Sequence, residues 1–350
     1  MRNFAIRILF LVFTLAICSQ HASSQSFENV GQYLDHITKA SQKISLMNLS
    51  YLSAVGHNKS AKKVDKRRQE LINNIFNTRL EIQGMPPWKG DRSYRDTTVA
   101  YFKLMYNVFN EDFAKIVNME EIAEQSYDAM EAYMLAQEKA GEKLQEASAK
   151  HQRTQKEFAE KYQITLIENT SELESKSKQA GELMKHYNEL YLIFFKAYKQ
   201  EAYVMDALES KKITSIEQSN NAMASFAVEG LQKLKNLKGY NNDGSLIVAC
   251  RESLQFYKEE AEKMKFATEF LMKEEAFAKM KKALDSKPAS QRTQKDIDDF
   301  NKGANDINKA VNTYNTTNNL LNKERTRALN NWNNTIKTYL DNHMPHQKKA

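Results

Sequence analysis

The groups on this chain that could do chemistry are few and poorly spaced for it. Apart from His21, the histidines are His36, His57, His151, His186, His343 and His346. None follows a Glu by three residues, the spacing with which helical di-iron bundles hold metal, and no H-E-x-x-H occurs. Glu182 and His186 lie one helical turn apart, but a metal site needs further ligands. His343 and His346 belong to a basic tail that could pick up metal adventitiously. The ten glycines form neither G-x-G-x-x-G nor a phosphate-cradling loop, and no G-x-S-x-G elbow appears. Glu120-Glu121 and Glu259-Glu260 are neighbours along a helix and point in different directions, so no acid/base pair follows. No catalytic residue, cofactor or metal is expected. A metal-dependent enzyme with its site between helices is the alternative reading.

Contact residues are easier to nominate. Trp88, Asp91 and Tyr94 fall in or beside the loop GMPPWKGD (84–91), and Tyr240 in KGYNNDG (238–244). Loops at bundle ends carry function more often than the helices they join, which makes these aromatic tips candidate contacts for a partner. The competing role for Trp88 is to plug the end of the core. A third candidate is a stripe of amides, Asn301, Asn305, Asn308, Asn312, Asn315, Asn319 and Asn322, spaced four and three alternately. Asn308, Asn312 and Asn315 are its centre. An amide donates and accepts without the desolvation cost of a charge, so a glycan or a partner helix could use the stripe; the plainer role is a neutral flank of a helix interface.

The elements that must position these residues are helices. With only 10 Gly and 4 Pro in 350 residues, the chain cannot supply the turns of a many-stranded sandwich, barrel or propeller. At 41% hydrophobic and 27% charged it can bury a core. Apolar residues recur at helical spacing from 28 to 55, then to 82, from 94 to 162 with a joint near Asn118, and from 171 to 208. Further helices are expected over 215–237, 245–284 and 293–340, with Pro288 as a stop. Ser93 is expected to cap the helix it begins. In the last helix Phe300, Ala304, Ile307, Val311, Tyr314, Leu321, Ala328 and Trp332 keep heptad spacing, with Asn318 and Arg325 in the same frame. Placing Asp91 on Asp243 aligns two helix strings at an offset of 152 residues. The predicted fold class is all-α: an elongated antiparallel bundle of long helices, built as two related four-helix units over 25–165 and 166–345, with a basic tail at 346–350.

Address and charge narrow the class. Arg2 and Arg7, the almost unbroken apolar run 8–18 and the small residues Ala22-Ser23-Ser24 read as a secretory leader over 1–24. The run is too short to span a bilayer, which takes about 20 residues. Acylation at Cys18 is the competing reading, and Ile17 before it fits poorly. Losing Arg2 and Arg7 lowers the formal charge from +7 to +5, a small and dispersed excess that points to no nucleic acid. The basic patch Lys62-Lys63, Lys66-Arg67-Arg68 is interrupted by Asp65 and Glu70, as on a solvated helix face. Cys250 then stands alone among apolar neighbours and reads as a small buried hydrophobe, so no disulfide staples the exported chain. N-x-[ST] sequons at Asn48, Asn58, Asn169, Asn315 and Asn333 matter only in a host that glycosylates them. The run LYLIFF (190–195) is the one candidate for membrane insertion and is far shorter than a span.

Three segments, HNKSAKKVDKRR (57–68), MPPWKGD (85–91) and YNVFNEDF (106–113) continuing into MEEIAEQSYD (119–128), resemble an uncharacterised family of exported, all-helical bacterial surface proteins. The resemblance implies a cell-surface or periplasmic location in a Gram-negative cell. It implies no activity, ligand or catalytic residue. The expected function is a non-enzymatic surface or periplasmic protein that binds a protein or glycan at the cell envelope, with no span in the mature chain.

Overall fold

The computed structural model describes residues 27–57, 60–112, 123–166 and 171–345. The leader, the 346–350 tail, the joint near Asn118, the turn at 168–170 and the sequons at Asn58 and Asn169 lie outside those residues. What is described is an all-α helical bundle without a strand. In order it comprises α1 (Val30–Gly56), α2 (Ala61–Gly84), α3 (Ser93–Asn107), a π-helical turn (Val108–Asp112), α4 (Tyr127–Lys161) and α5 (Ser171–Glu209). There follow α6 (Ile213–Lys233), α7 (Ser245–Lys263), α8 (Lys265–Asp285), a 3-10 turn (Ala289–Gln291) and α9 (Gln294–His343). No described helix is long and apolar enough to cross a membrane.

Two compact units share the chain. One takes Met1–Tyr51, Lys62–Ala114 and Ala140–Glu174; the other takes Leu52–Ala61, Lys115–Lys139 and Ser175–Ala350. Their segments interleave, so no single cut at residue 165 separates them.

In the first unit the helical spacing of Tyr33, Leu34, Ile37 and Ile44 puts all four inside the core. Tyr33 and Tyr94 both pack on Phe158 of α4, at 5.9 and 5.8 Å between ring centroids. α3 does not run on unbroken, because its ladder widens into the π turn. There the carbonyl of Phe109 accepts a hydrogen bond of 3.1 Å from the Arg68 guanidinium of α2. A π turn frees carbonyls that a regular helix would use, and this one has found a charged donor.

The second unit has a continuous core drawn mainly from α5, α6, α7 and α9, with Met130 and Met134 of α4 and Ala267 of α8. Phe194 stacks on Trp332 at 4.5 Å. The LYLIFF segment is therefore core, with Leu190, Phe194 and Phe195 buried. Cys250 is buried too, and desolvation pushes its thiol up to about 12, as expected of an inert thiol. α6 approaches α7 so closely that a Cβ on Gly230 would sit 2.8 Å from Leu254 Cδ1. The helix expected over 245–284 divides at Met264 into α7 and α8, with the Met264 N–H still reaching the Glu260 carbonyl at 2.8 Å.

Beyond that joint α8 and the first half of α9 pair with each other. Phe270 stacks on Tyr314 at 4.9 Å and Phe277 meets Phe300 at 5.3 Å. No residue from Met272 to Leu320 is buried. This two-helix arm is closed by the 3-10 turn and by a full capping box between Thr293 and Asp296.

Candidate functional site

The two nominated loops have the same construction. In the first unit Trp88 and Asp91 exchange backbone hydrogen bonds of 3.1 and 2.8 Å across Lys89 and Gly90, whose φ angles are +48° and +87°. In the second unit the Asp243 N–H reaches the Tyr240 carbonyl at 2.9 Å across Asn241 and Asn242, at +49° and +65°. Two successive left-handed residues make a type I′ turn, which Gly and Asn tolerate best. Asp91 Oδ1 accepts from the Ser93 N–H at 2.8 Å, and Asp243 Oδ1 from the Ser245 N–H at 2.8 Å. The aspartates thus serve the free N–H groups at the helix starts, a task expected of Ser93; Arg92 and Gly244 occupy the cap positions without a side-chain bond. The expected Ser93 cap is corrected accordingly.

The other carboxylate oxygens hold each unit's closing helix. Asp91 Oδ2 accepts from Lys161 Nζ at 2.7 Å and Tyr162 Oη at 3.2 Å; Asp243 Oδ2 pairs with His343 Nε2 at 2.8 Å. Burial works against charge at Asp91, but the bonds from Lys161, Ser93 and Tyr162 outweigh it and hold the carboxyl well below the usual range. At Asp243 burial is likewise outweighed, by His343 and Ser245. Around the turns, Tyr33, Trp88 and Phe158 in one unit answer to His186, Tyr240 and Tyr339 in the other.

The correspondence keeps the 152-residue offset through α2 and α6, which start at 61 and 213, and α3 and α7, which start at 93 and 245. It then slips. Phe158 and Tyr339 are 181 apart, as are Tyr162 and His343, so the second unit holds 29 residues more between matching points. That excess lies where α8 and α9 form the arm.

These placements separate the nominated contacts. Tyr94 is fully buried against Phe158 and His151 and is a core residue, not a surface one. Trp88 and Tyr240 are half-buried, and the Tyr240 hydroxyl donates to the Gln179 carbonyl at 3.1 Å. The Asp91 side chain is 9% exposed with both oxygens engaged. Asn308, Asn312 and Asn315, with the other four amides of the stripe, are exposed along the arm.

One cluster went unread in the sequence. Arg325 of α9, 17% exposed at the side chain, is ion-paired with both Glu201 of α5 and Glu260 of α7, which are 5% and 0% exposed. Arg325 stands in a heptad frame that, Asn318 apart, apolar residues fill. Glu201 is in helical register with Phe194 and Tyr198, and Glu260 with Cys250 and Tyr257. Three charges of complementary sign on three apolar stripes were the available signal.

Among the described residues no three His, Cys, Asp or Glu side chains gather as metal ligands would. No protein-family model, no curated protein and no solved structure matches this chain.

Proposed function

We propose that this chain is an exported, non-enzymatic protein of the bacterial cell envelope that binds a protein or glycan partner along the α8–α9 arm. One observation carries the reading. From Met272 to Leu320 the paired stretches of α8 and α9 bury no residue, while the rest of the unit is closely packed. Folding gains little from such an arm, since stability comes mainly from buried apolar area. Its worth lies in the surface it presents. The exposed amides Asn301 to Asn322 supply uncharged donors and acceptors at a regular pitch along one flank, which suits hydroxyl-rich sugars or a polar helix face. The basic n-region and apolar run before residue 25, with the resemblance to exported surface proteins, support the address.

The test is cosedimentation of the purified mature chain with isolated envelopes. Asn308→Asp, Asn312→Asp and Asn315→Asp together keep side-chain size but add three like charges on one flank. Binding is expected to drop at least tenfold with the unfolding midpoint nearly unchanged. Equal binding by the triple variant and the parent would remove the arm from the account.

A further inference from the structure

The Glu201–Arg325–Glu260 cluster has one more negative group than positive. Fully ionised, it would leave a net negative charge in the core of the second unit, at a cost of several kcal/mol for an unpaired buried ion. The neighbours offer no second cation. From α5 the cluster is faced by Tyr198 and the Met205 sulfur, from α7 by Tyr257, and from α9 by the Asn322 amide, which accepts from Arg325. The nearby Lys263 of α7 is already paired with Glu324 of α9 at 3.1 Å, and Glu124 adds only negative charge on the Tyr198 side.

The oxygens themselves say how the excess is resolved. Glu260 Oε1 accepts from Arg325, while Glu260 Oε2 is buried and faces no donor. The two carboxyls nonetheless lie within hydrogen-bonding reach of each other. Two carboxyl oxygens in contact make a bond only if one of them is protonated.

We propose that Glu201 and Glu260 share a single proton, and that this proton is a clasp fastening the root of the arm to the core. Below Leu321, the first buried residue of α9, Arg325 is the next inward-facing polar group, so the cluster sits where the arm joins the packed unit. With the proton in place the cluster is neutral: one acid, one carboxylate, one guanidinium. When the proton leaves, two carboxylates repel each other across one arginine and α9 loosens from α5 and α7. Burial and the Glu201 charge hold Glu260 above the usual carboxylate range, in the direction this requires. The native pair therefore keeps a proton that the unfolded chain has already released. Stability from this source is complete in mild acid and is lost as pH rises through the native titration. The clasp works the same way whatever the arm contacts.

Hydrogen exchange of the full chain, followed between about pH 5 and about pH 9 and corrected for intrinsic rates, reads this directly. Protection of α9 amides around 321–332 is expected to fall tenfold or more as pH rises. Glu260→Gln, which fixes the neutral form, should flatten that dependence and raise protection at the alkaline end. If Glu260→Gln does not fold, the parent still decides: an infrared band of a buried protonated carboxyl should be present near neutral pH and vanish on alkalinisation. Absence of that band, or a pH dependence unchanged by Glu260→Gln, would overturn the proposal.

Discussion

At the residue scale the informative side chains are those whose charge state burial has decided. His151 of α4 is 6% exposed, stacks on Tyr101 at 5.1 Å and has its Nε2 3.0 Å from the Thr98 hydroxyl. Desolvation alone pushes its imidazole down to about 4. The native ring is thus neutral where the unfolded one, near 6.5, begins to take up protons. Its contribution is fully present above about pH 6.5 and is lost as pH falls toward about 4, some 3 kcal/mol in all. Thermal unfolding over that window should show the loss in the parent and a much flatter profile in His151→Gln; matching profiles would mean the ring is already charged in the native state. None of this could be read beforehand, because a lone histidine on a helix does not announce whether it faces a core. Arg325 could have been: a charge in a heptad seam needs a partner, and Glu201 and Glu260 stand on the stripes that face it. Tyr94 misled for the opposite reason. A tyrosine beside a loop looks presentable, yet the helix it starts turns its side chain inward.

Helices were the most legible elements, since apolar spacing sustained over twenty or more residues admits little else. Their interruptions were less so. The π turn at Val108–Asp112 and the joint at Met264 involve no Gly or Pro, so no local signal marks them; packing sets both. The start of α9 was foreseeable from Pro288 and Thr293, and it suggests a test at this scale. The Thr293 hydroxyl accepts from the Asp296 N–H at 3.2 Å while the Asp296 carboxylate takes the Thr293 N–H at 2.9 Å. An Ncap of this kind contributes about 1 kcal/mol. Apart from the cap, the tip of the arm is held by the Lys287–Asp296 ion pair at 2.5 Å and the Arg292 bond to the Lys287 carbonyl at 3.1 Å, both outside the core. Thr293→Ala should therefore raise amide exchange in the first turns of α9 about fivefold while leaving the global unfolding midpoint nearly unchanged. A drop of many degrees in that midpoint would mean the tip is part of the cooperative core.

Over the whole molecule, the two units share a turn design and differ in the helix that closes it. Where Lys161 and Tyr162 hold Asp91 in one, His343 holds Asp243 in the other, and 29 added residues separate the matching points. The Asp-x-Ser shared at 91–93 and 243–245 made the correspondence visible in the sequence, and the structure adds that K-G and N-N before those aspartates supply the same left-handed pair of residues. The arm was hidden inside a heptad pattern that reads alike whether its seam is deeply packed or only paired. The account stands or falls on an exported chain that offers this arm to its surroundings. Its most direct test is trypsin added to intact and to outer-membrane-permeabilised cells, with the product N-terminus sequenced. The account predicts a chain starting near residue 25 and clipped first at Arg292, in the exposed connection between α8 and α9, Lys287 being shielded from trypsin by Pro288. A chain that keeps Met1 and resists trypsin until the cytoplasm is released would contradict it.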